Sequence, residues 1–330
     1  TKWTKVWGRL HLERMQALHA ELRALAYVQR ADAPLEPITV EELRAAAKTF
    51  SRNTAPSCYG VSPATLGDHG DEATAELCAM LTEIQRCMVL PVQDLLVMLA
   101  LLGKVTGGER TIGLLGTLYR ILVRLRRPSV QRWDDEQAGH WDRALRGSSA
   151  LRAAVRRSLV CEVATLNNDD AVVLLWDCSH YYDSLRLETL FQFAAATGYQ
   201  CDLLALAVLV HTGPRTFRDG DHVGPWMLGC DSVIAGDGQA VTWSRMKLYN
   251  ALEAQCTGYP NLMVESFVDD VVQLGVGPAP FKNSLRRAAL EYWQAATDEG
   301  LEFSTKNVIL PSASPTAKGR RRRGPLSCAS

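Results

Sequence analysis

The 330-residue sequence has no apolar run long enough to cross a bilayer, no C-x-x-C cysteine pair, no excess of either charge and few aromatic residues. Each absence excludes something. A spanning helix needs about 20 apolar residues, whereas the most apolar stretches, Met88–Gly103 and Leu203–Val210, are shorter, and Gln93 and Asp94 interrupt the first. No signal peptide opens the chain, so the expectation is an intracellular protein, nuclear or cytoplasmic, neither secreted nor membrane-embedded. It begins at Thr1 rather than Met, which reads as a fragment or a trimmed gene. Nine cysteines, odd in number and scattered from Cys58 to Cys328, give neither a disulfide framework nor a zinc site.

What is present is the mixture of a globular protein: 47% apolar and 22% charged residues, enough to bury a core. Lys and Arg balance Asp and Glu at 36 each, but the tail from Lys318 holds five of the positives and no acid, leaving the body at −5. From Lys104 to Arg157 twelve basic residues face five acidic ones, whereas Asp177, Asp269 and Asp270 lie inside apolar runs. Such polarity suits a surface that holds a polyanion beside a pocket that holds cations.

Helical spacing is expected over Lys5–Gln29, from a Thr39–Glu42 capping box to Phe50, over Thr65–Met88 and Val92–Leu102, and over Thr117–Arg127, closed by Pro128. Further helices are expected over Ser148–Ala164, Leu185–Thr197, Asp202–Val210, Ser244–Gln255 and Lys282–Thr297. Ala171–Trp176 is an uninterrupted apolar run and predicts a buried strand that delivers Asp177 at its end. Met263–Val268 and Val271–Val276 predict two strands with Asp269 and Asp270 at the tip of a tight hairpin, Gly213–Pro225 predicts a turn-joined pair of short strands, and Leu301–Leu310 is strand-like. No internal repeat is present.

Three carboxylates at such places need compensation, because a buried acid left alone is costly. An Arg partner, protonation or a divalent cation each supplies it. Clustered Asp oxygens are hard ligands that Mg²⁺ accepts, and a pair of such ions would activate an attacking hydroxyl and steady a leaving pyrophosphate. Standing alone, a doubled Asp at a hairpin is more often a solvated turn.

The ordered motifs resemble reverse transcriptases, particularly those of non-LTR retrotransposons and related mobile elements. Phe267-Val268-Asp269-Asp270 resembles the family's aromatic-x-Asp-Asp hairpin, and Asp177-Cys178-Ser179-His180-Tyr181-Tyr182-Asp183 its first palm motif. Glu109 to Leu115 with Leu118-Tyr119-Arg120 is similar to the fingers motif whose Arg grips the incoming triphosphate, and Thr54 to Ser57 with Gly60-Val61 to the loop before it. Gly147 to Ala150 is similar to the segment before the palm, Gly236-Asp237-Gly238-Gln239 with Thr242 and Leu248-Tyr249 to the motif under the template base, and Gly300-Leu301 with Ser304 and Lys306 to the late palm motif. Asp237 stands where the family most often has Gln, and Thr111 and Trp243 where it commonly has Pro.

The resemblance implies an α+β fold: a right-hand polymerase palm, built as an antiparallel sheet with packed helices, plus largely helical fingers. It covers residues 45–310, with an N-terminal helical extension over 1–36, fingers over 37–158, palm over 159–310, a basic and disordered tail over 311–330, and no evident thumb. It implies an RNA-directed DNA polymerase, a nucleotidyltransferase belonging to a retrotransposon polyprotein, acting on an RNA template, a DNA primer and dNTPs. Asp177, Asp269 and Asp270 would bind two Mg²⁺ ions, with Mn²⁺ as a substitute. Lys104 and Arg110 would hold the triphosphate, Tyr182 would exclude a 2′-hydroxyl, Gly238 would let the backbone approach the base or sugar, and Lys306 would serve as general acid to pyrophosphate.

Each of these residues also has an ordinary role: a solvated charge for Lys104 or Lys306, a packed ring for Tyr182, a plain turn for Gly238. Arg124, Arg126, Arg127 and Arg132 with Trp133 form a candidate track for a nucleic-acid backbone with the indole stacked on a base, and Arg320–Arg323 a basic patch. His180 has no partner at ligand spacing. Two other readings stand beside the first: a catalytically decayed module that keeps the fold and binds nucleic acid, and an RNA-templated RNA polymerase.

Overall fold

The computed structural model describes residues 12–103, 107, 109–220, 222–229, 232–278 and 281–311. In chain order its elements are α1 (Leu12–Asp32), α2 (Val40–Lys48), α3 (Asp71–Cys87), β1 (Val97–Gly103), β2 (Glu109–Leu114), α4 (Thr117–Leu125), α5 (Arg127–Glu136) and α6 (Ala150–Leu166). There follow β3 (Asp170–Trp176), β4 (Cys178–Ser179), α7 (Tyr181–Ser184), α8 (Leu187–Ala196), α9 (Cys201–Thr212), β5 (Arg215–Asp219) and β6 (His222–Val223). The last are α10 (Ala240–Gly258), β7 (Met263–Phe267), β8 (Asp270–Gly277), α11 (Phe281–Asp298), β9 (Glu302–Phe303) and β10 (Val308–Pro311). The chain is therefore α+β. Its described residues divide into two compact units, each built from two separate stretches: 12–133 with 185–240, and 134–184 with 241–311. That division differs from the linear one at residue 158, because 134–158 and 185–240 change sides.

The first unit is mostly helical, around a four-stranded sheet in the order β2-β1-β5-β6. α1 buries Met15, Leu18, Leu22 and Ala26, one stripe at helical spacing. α2 begins with the expected capping box: Glu42 N–H donates to Thr39 Oγ1 at 3.2 Å, and Thr39 N–H donates to Glu42 Oε2 at 2.9 Å. α9 is buried almost all round, which explains its unbroken run of apolar residues from Leu203 to Leu206. The helix predicted over Val92–Leu102 is not formed. A short 3₁₀ turn spans Val92–Leu95, and the apolar run that follows is β1, hydrogen-bonded antiparallel to β2 on one side and parallel to β5 on the other. Pro128 does not simply close a helix either. α4 ends at Leu125, and Pro128 falls in the first turn of α5, where an N–H has no helical acceptor to lose.

The start of α4 is held from outside the helix. Asp94, fully buried, accepts from the Tyr59 hydroxyl and from Leu118 N–H at 3.4 Å, so its carboxylate meets the unpaired donors of that helix end. Gly116 leaves the room for it: a Cβ there would lie 2.6 Å from Asp94 Cα.

The second unit carries an antiparallel sheet in the order β10-β3-β8-β7. Alternation along the strands gives its two faces different partners. On one, Ala171, Val173, Val272 and Leu274 pack with Ala164 of α6. On the other, Trp176 meets Tyr292 of α11 and Phe303 of β9, with ring centroids 5.5 and 5.1 Å apart. Trp176 also donates to Gln273 Oε1 at 3.0 Å, and Gln273 donates to Gln255 of α10 at 2.8 Å, which satisfies the amides inside this sheet. α10 is tied down by Arg245, buried, with Asp134 at 2.6 Å and Asp142 as its partners. The seven cysteines among the described residues are free thiols. Among those residues, too, no helix is long and apolar enough to cross a membrane.

Candidate active site

β3 and β8 pair from Asp170 opposite Gly277 to Trp176 opposite Val271. Asp177 directly follows that last pair on one strand and Asp270 directly precedes it on the other. The hairpin between β7 and β8 is closed by the Phe267–Asp270 pair, so its two-residue tip is Val268-Asp269 rather than the two acids, and Asp270 is already the first residue of a strand. Val268 has a φ of 63°, a left-handed conformation that a β-branched residue adopts only under constraint. A first tip residue at positive φ is what a two-residue hairpin needs to follow the strand twist. Here a valine bears that strain beside an acid.

The electrostatics agree with this convergence. The Asp270 pKa is pushed up to about 6, first by lost hydration around its carboxyl, then by the negative charges of Asp269 and Asp177, against an opposing pull from Arg157 of α6. The residue as a whole is solvent-exposed, so the carboxyl is crowded rather than sealed. Cys178, next to Asp177 in the chain, is pushed up to about 12 by burial and then by Asp269, Asp177 and Asp270. Burial raises Tyr182 to about 12, with Asp269 adding to the effect, and raises Tyr181 and Tyr292 well above their ordinary value with Asp269 among the lesser causes. Asp177 and Asp269 thus act on one another's neighbours, and Tyr182 belongs to the same group. Tyr182 is half-buried and meets Tyr181 edge-on at 5.7 Å.

The Asp177 backbone is fixed on both sides. Its N–H donates to Asn307 Oδ1 at 2.7 Å, and its carbonyl accepts from Ser304 N–H at 2.8 Å. Ser304 to Asn307 is the turn that holds Lys306, whose N–H donates to Ser304 Oγ at 3.0 Å. Lys306 itself is exposed, on a loop pinned to the peptide of the first carboxylate. His180 has a φ of 52° and faces Asp183 at 3.7 Å.

Among the described residues no group of three or more His, Cys, Asp or Glu side chains is arranged as a ready-made metal cage. That is compatible with the donor set expected for Mg²⁺, which keeps several waters and takes one or two protein carboxylates together with substrate phosphates. The burial and the neighbouring negative charges that raise Asp270 are the condition a divalent cation would relieve. Asp177 and Asp269, with Asp270, are the residues that fit it.

Several expected residues belong to the first unit or fall outside the described residues. Arg110 is exposed on β2, in the first unit, and Lys104 falls outside the described residues, as does Arg320–Arg323. Gly238 is also in the first unit, and the conformational demand falls on Gly236 instead: its φ is 111°, and a Cβ there would lie 2.7 Å from the Gly113 carbonyl. Asp237 is buried, accepting from Tyr119 at 2.8 Å, from His211 at 3.1 Å and from Gln239 N–H at 2.7 Å. The neighbour of Gly238 is therefore a core hub. Trp133 is no stacking platform: it is buried edge-on against Tyr199 at 5.1 Å and donates to the Thr197 carbonyl at 3.0 Å. Arg124 of the same expected track lies 4.8 Å over the Phe50 ring, and Arg126 donates to Gln85 at 2.8 Å.

Asn307 and Arg157, which no motif spacing signalled, both belong to the group. Arg157 reaches the carboxylates from a cationic cluster. Glu265 of β7, 1% exposed, takes Arg143 at 2.8 Å, Arg156 at 2.9 Å and Arg157 at 3.5 Å. Three guanidinium groups on one carboxylate leave a surplus of positive charge beside Asp270. No protein-family model and no curated protein matches the chain.

Proposed function

We propose that the chain is an RNA-directed DNA polymerase whose palm is the second unit and whose fingers lie in the first. The observation that carries the reading is the coupling of Asp177 to the Asp269-Asp270 hairpin at the ends of adjacent antiparallel strands, the place the motif resemblance assigns to the catalytic acids. Divalent cations, when bound there, would activate a primer 3′-hydroxyl and neutralise charge on the triphosphate.

The chain's own residues have narrower tasks. Asn307 and Ser304 hold the Asp177 backbone on both sides, which fixes the point from which its carboxylate projects. Asp269 is the second residue of a tip whose first residue, Val268, is held at positive φ. Tyr182, hemmed in near Asp269, offers a ring against the sugar, which favours deoxynucleotides. Lys306 would hand a proton to the departing pyrophosphate oxygen as the primer oxygen bonds to the α-phosphorus.

Primer extension on poly(rA)/oligo(dT) with Mg²⁺ tests this. Synthesis should be abolished by Asp269→Ala and by Asp177→Ala. Retained synthesis in either variant overturns the assignment, and unchanged nucleotide preference in Tyr182→Ala points instead to an RNA-templated RNA polymerase. One observation favours the decayed alternative: Asp237, where the resemblance expects a template contact, is spent in the core. A chain that lacks synthesis and shows no Mg²⁺-dependent gain in thermal stability traceable to Asp269 is that inert module.

A further inference from the structure

α6 turns an apolar ridge to solvent. Leu151, Val155, Leu159 and Val163, each four residues from the next, are 73%, 49%, 54% and 55% exposed, and Leu166 beyond them is 82% exposed. The opposite face of the same helix is buried at Ala153 and Ala164, the second of them against the sheet. A groove of about 650 Å³ runs along the ridge, with Val276 of β8 among its walls. A contiguous apolar stripe of this kind marks an interaction surface, unlike a single exposed leucine.

The pattern of the ridge selects its occupant. We propose that it is the interface between two copies of the chain, paired antiparallel through α6 about a two-fold axis level with residue 157. In an isologous contact the same patch must complement itself. Antiparallel pairing about that point sets Leu151 against the partner's Val163 and Val155 against the partner's Leu159, so each ridge fills the other's grooves. The same operation sets Arg152 against the partner's Glu162. Both residues are exposed on α6, and Arg152 uses one nitrogen on the Gly147 carbonyl at 2.8 Å, leaving its other donors for a carboxylate. Apolar and charged positions therefore become complementary under one operation, and the charges fix its direction.

A single helix pair buries less than the roughly 1,200 Å² of a standard interface, so the association is weak and depends on concentration. It does not depend on the polymerase reading.

Sedimentation velocity of the full chain, loaded from about 1 to 100 µM, should show monomer passing to dimer across the micromolar range. Val155→Glu with Leu159→Glu should leave a monomer at every concentration, with an unchanged circular dichroism spectrum because both residues face water. Arg152→Glu should weaken association by about tenfold through like charges at both ends of the pair, and adding Glu162→Arg should restore it. That charge reversal, confined to surface residues, reports on pairing even where the ridge variants lose stability. A chain that stays monomeric at 100 µM, or a dimer indifferent to the ridge substitutions, overturns the proposal. So does a charge reversal that fails to rescue.

Discussion

Replacing Asp177 by Asn removes one of the two negative charges that hold the proton on Asp270, and so tests whether acids far apart in the sequence share one site. Directly opposed residues on adjacent antiparallel strands have Cβ atoms about 5 Å apart. Two charges roughly 6 Å apart between protein and water, with an effective dielectric near 40, interact by about 1.4 kcal/mol, which is about one pH unit. Asp270, at about 6 in the native protein, should therefore titrate about one pH unit lower in Asp177→Asn. Lost hydration, the larger cause, keeps it above the ordinary 3.8. Carboxyl-carbon NMR of protein labelled at aspartate reads the titration directly. Stability should follow the same sign. The folded chain binds this proton more tightly than the unfolded one, so the stabilising contribution is complete below about 3.8 and is lost as the pH rises through about 6. The full difference is worth about 3 kcal/mol, and solvent screening at this exposed residue reduces it to roughly 1 kcal/mol. Urea midpoints should accordingly fall less between pH 5 and 7.5 in Asp177→Asn than in the native protein. An Asp270 that titrates near 4, or one unmoved by the substitution, would refute the shared site.

Glu265→Gln should cost about 3 kcal/mol in urea denaturation, because it strips the counter-charge from Arg143, Arg156 and Arg157 while leaving them clustered; a loss under 1 kcal/mol would mean that the guanidinium groups are hydrated independently. Gly116→Ala should destabilise by about 2 kcal/mol or more, since its Cβ would meet the Asp94 backbone, and a variant as stable as the native protein would show that Asp94 is not held against the start of α4.

Much of the architecture was legible where local pattern and burial agree. The capping box at Thr39 and Glu42 is a purely local device and forms as written. β3 and β8 read as strands because apolar β-branched runs this short have few helical uses. β1 did not, for the converse reason: Val-Met-Leu-Ala-Leu-Leu has good helix formers and no alternation, and it is pairing with β2 on one side and with β5, more than a hundred residues later, on the other that makes it a strand. Around the candidate site, the strands that end before Asp177 and begin at Asp270 were legible from their apolar runs, but the contacts of Asn307 and Arg157 were not. Asn307 acts through an amide bonded to a distant backbone, and Arg157 through charge carried from a neighbouring helix, neither of which leaves a spacing in the chain. Trp133 misled because a tryptophan among arginines looks the same in sequence whether its ring is packed or bare. Asp237 looked like a substitution in a binding motif, and His211 and Tyr119 make it part of the core instead.

The interleaving of the two units bears on how the protein can be made and cut. Neither is a continuous piece of polypeptide, so a ribosome must release residues up to about 240 before the first can close. A truncation after Trp133 would strand β1 with one side of its ladder open, a ready template for aggregation. Expression of either half by linear dissection should therefore yield inclusion bodies, whereas dissection that joins 12–133 to 185–240 through a short linker keeps every strand of that sheet with its neighbours.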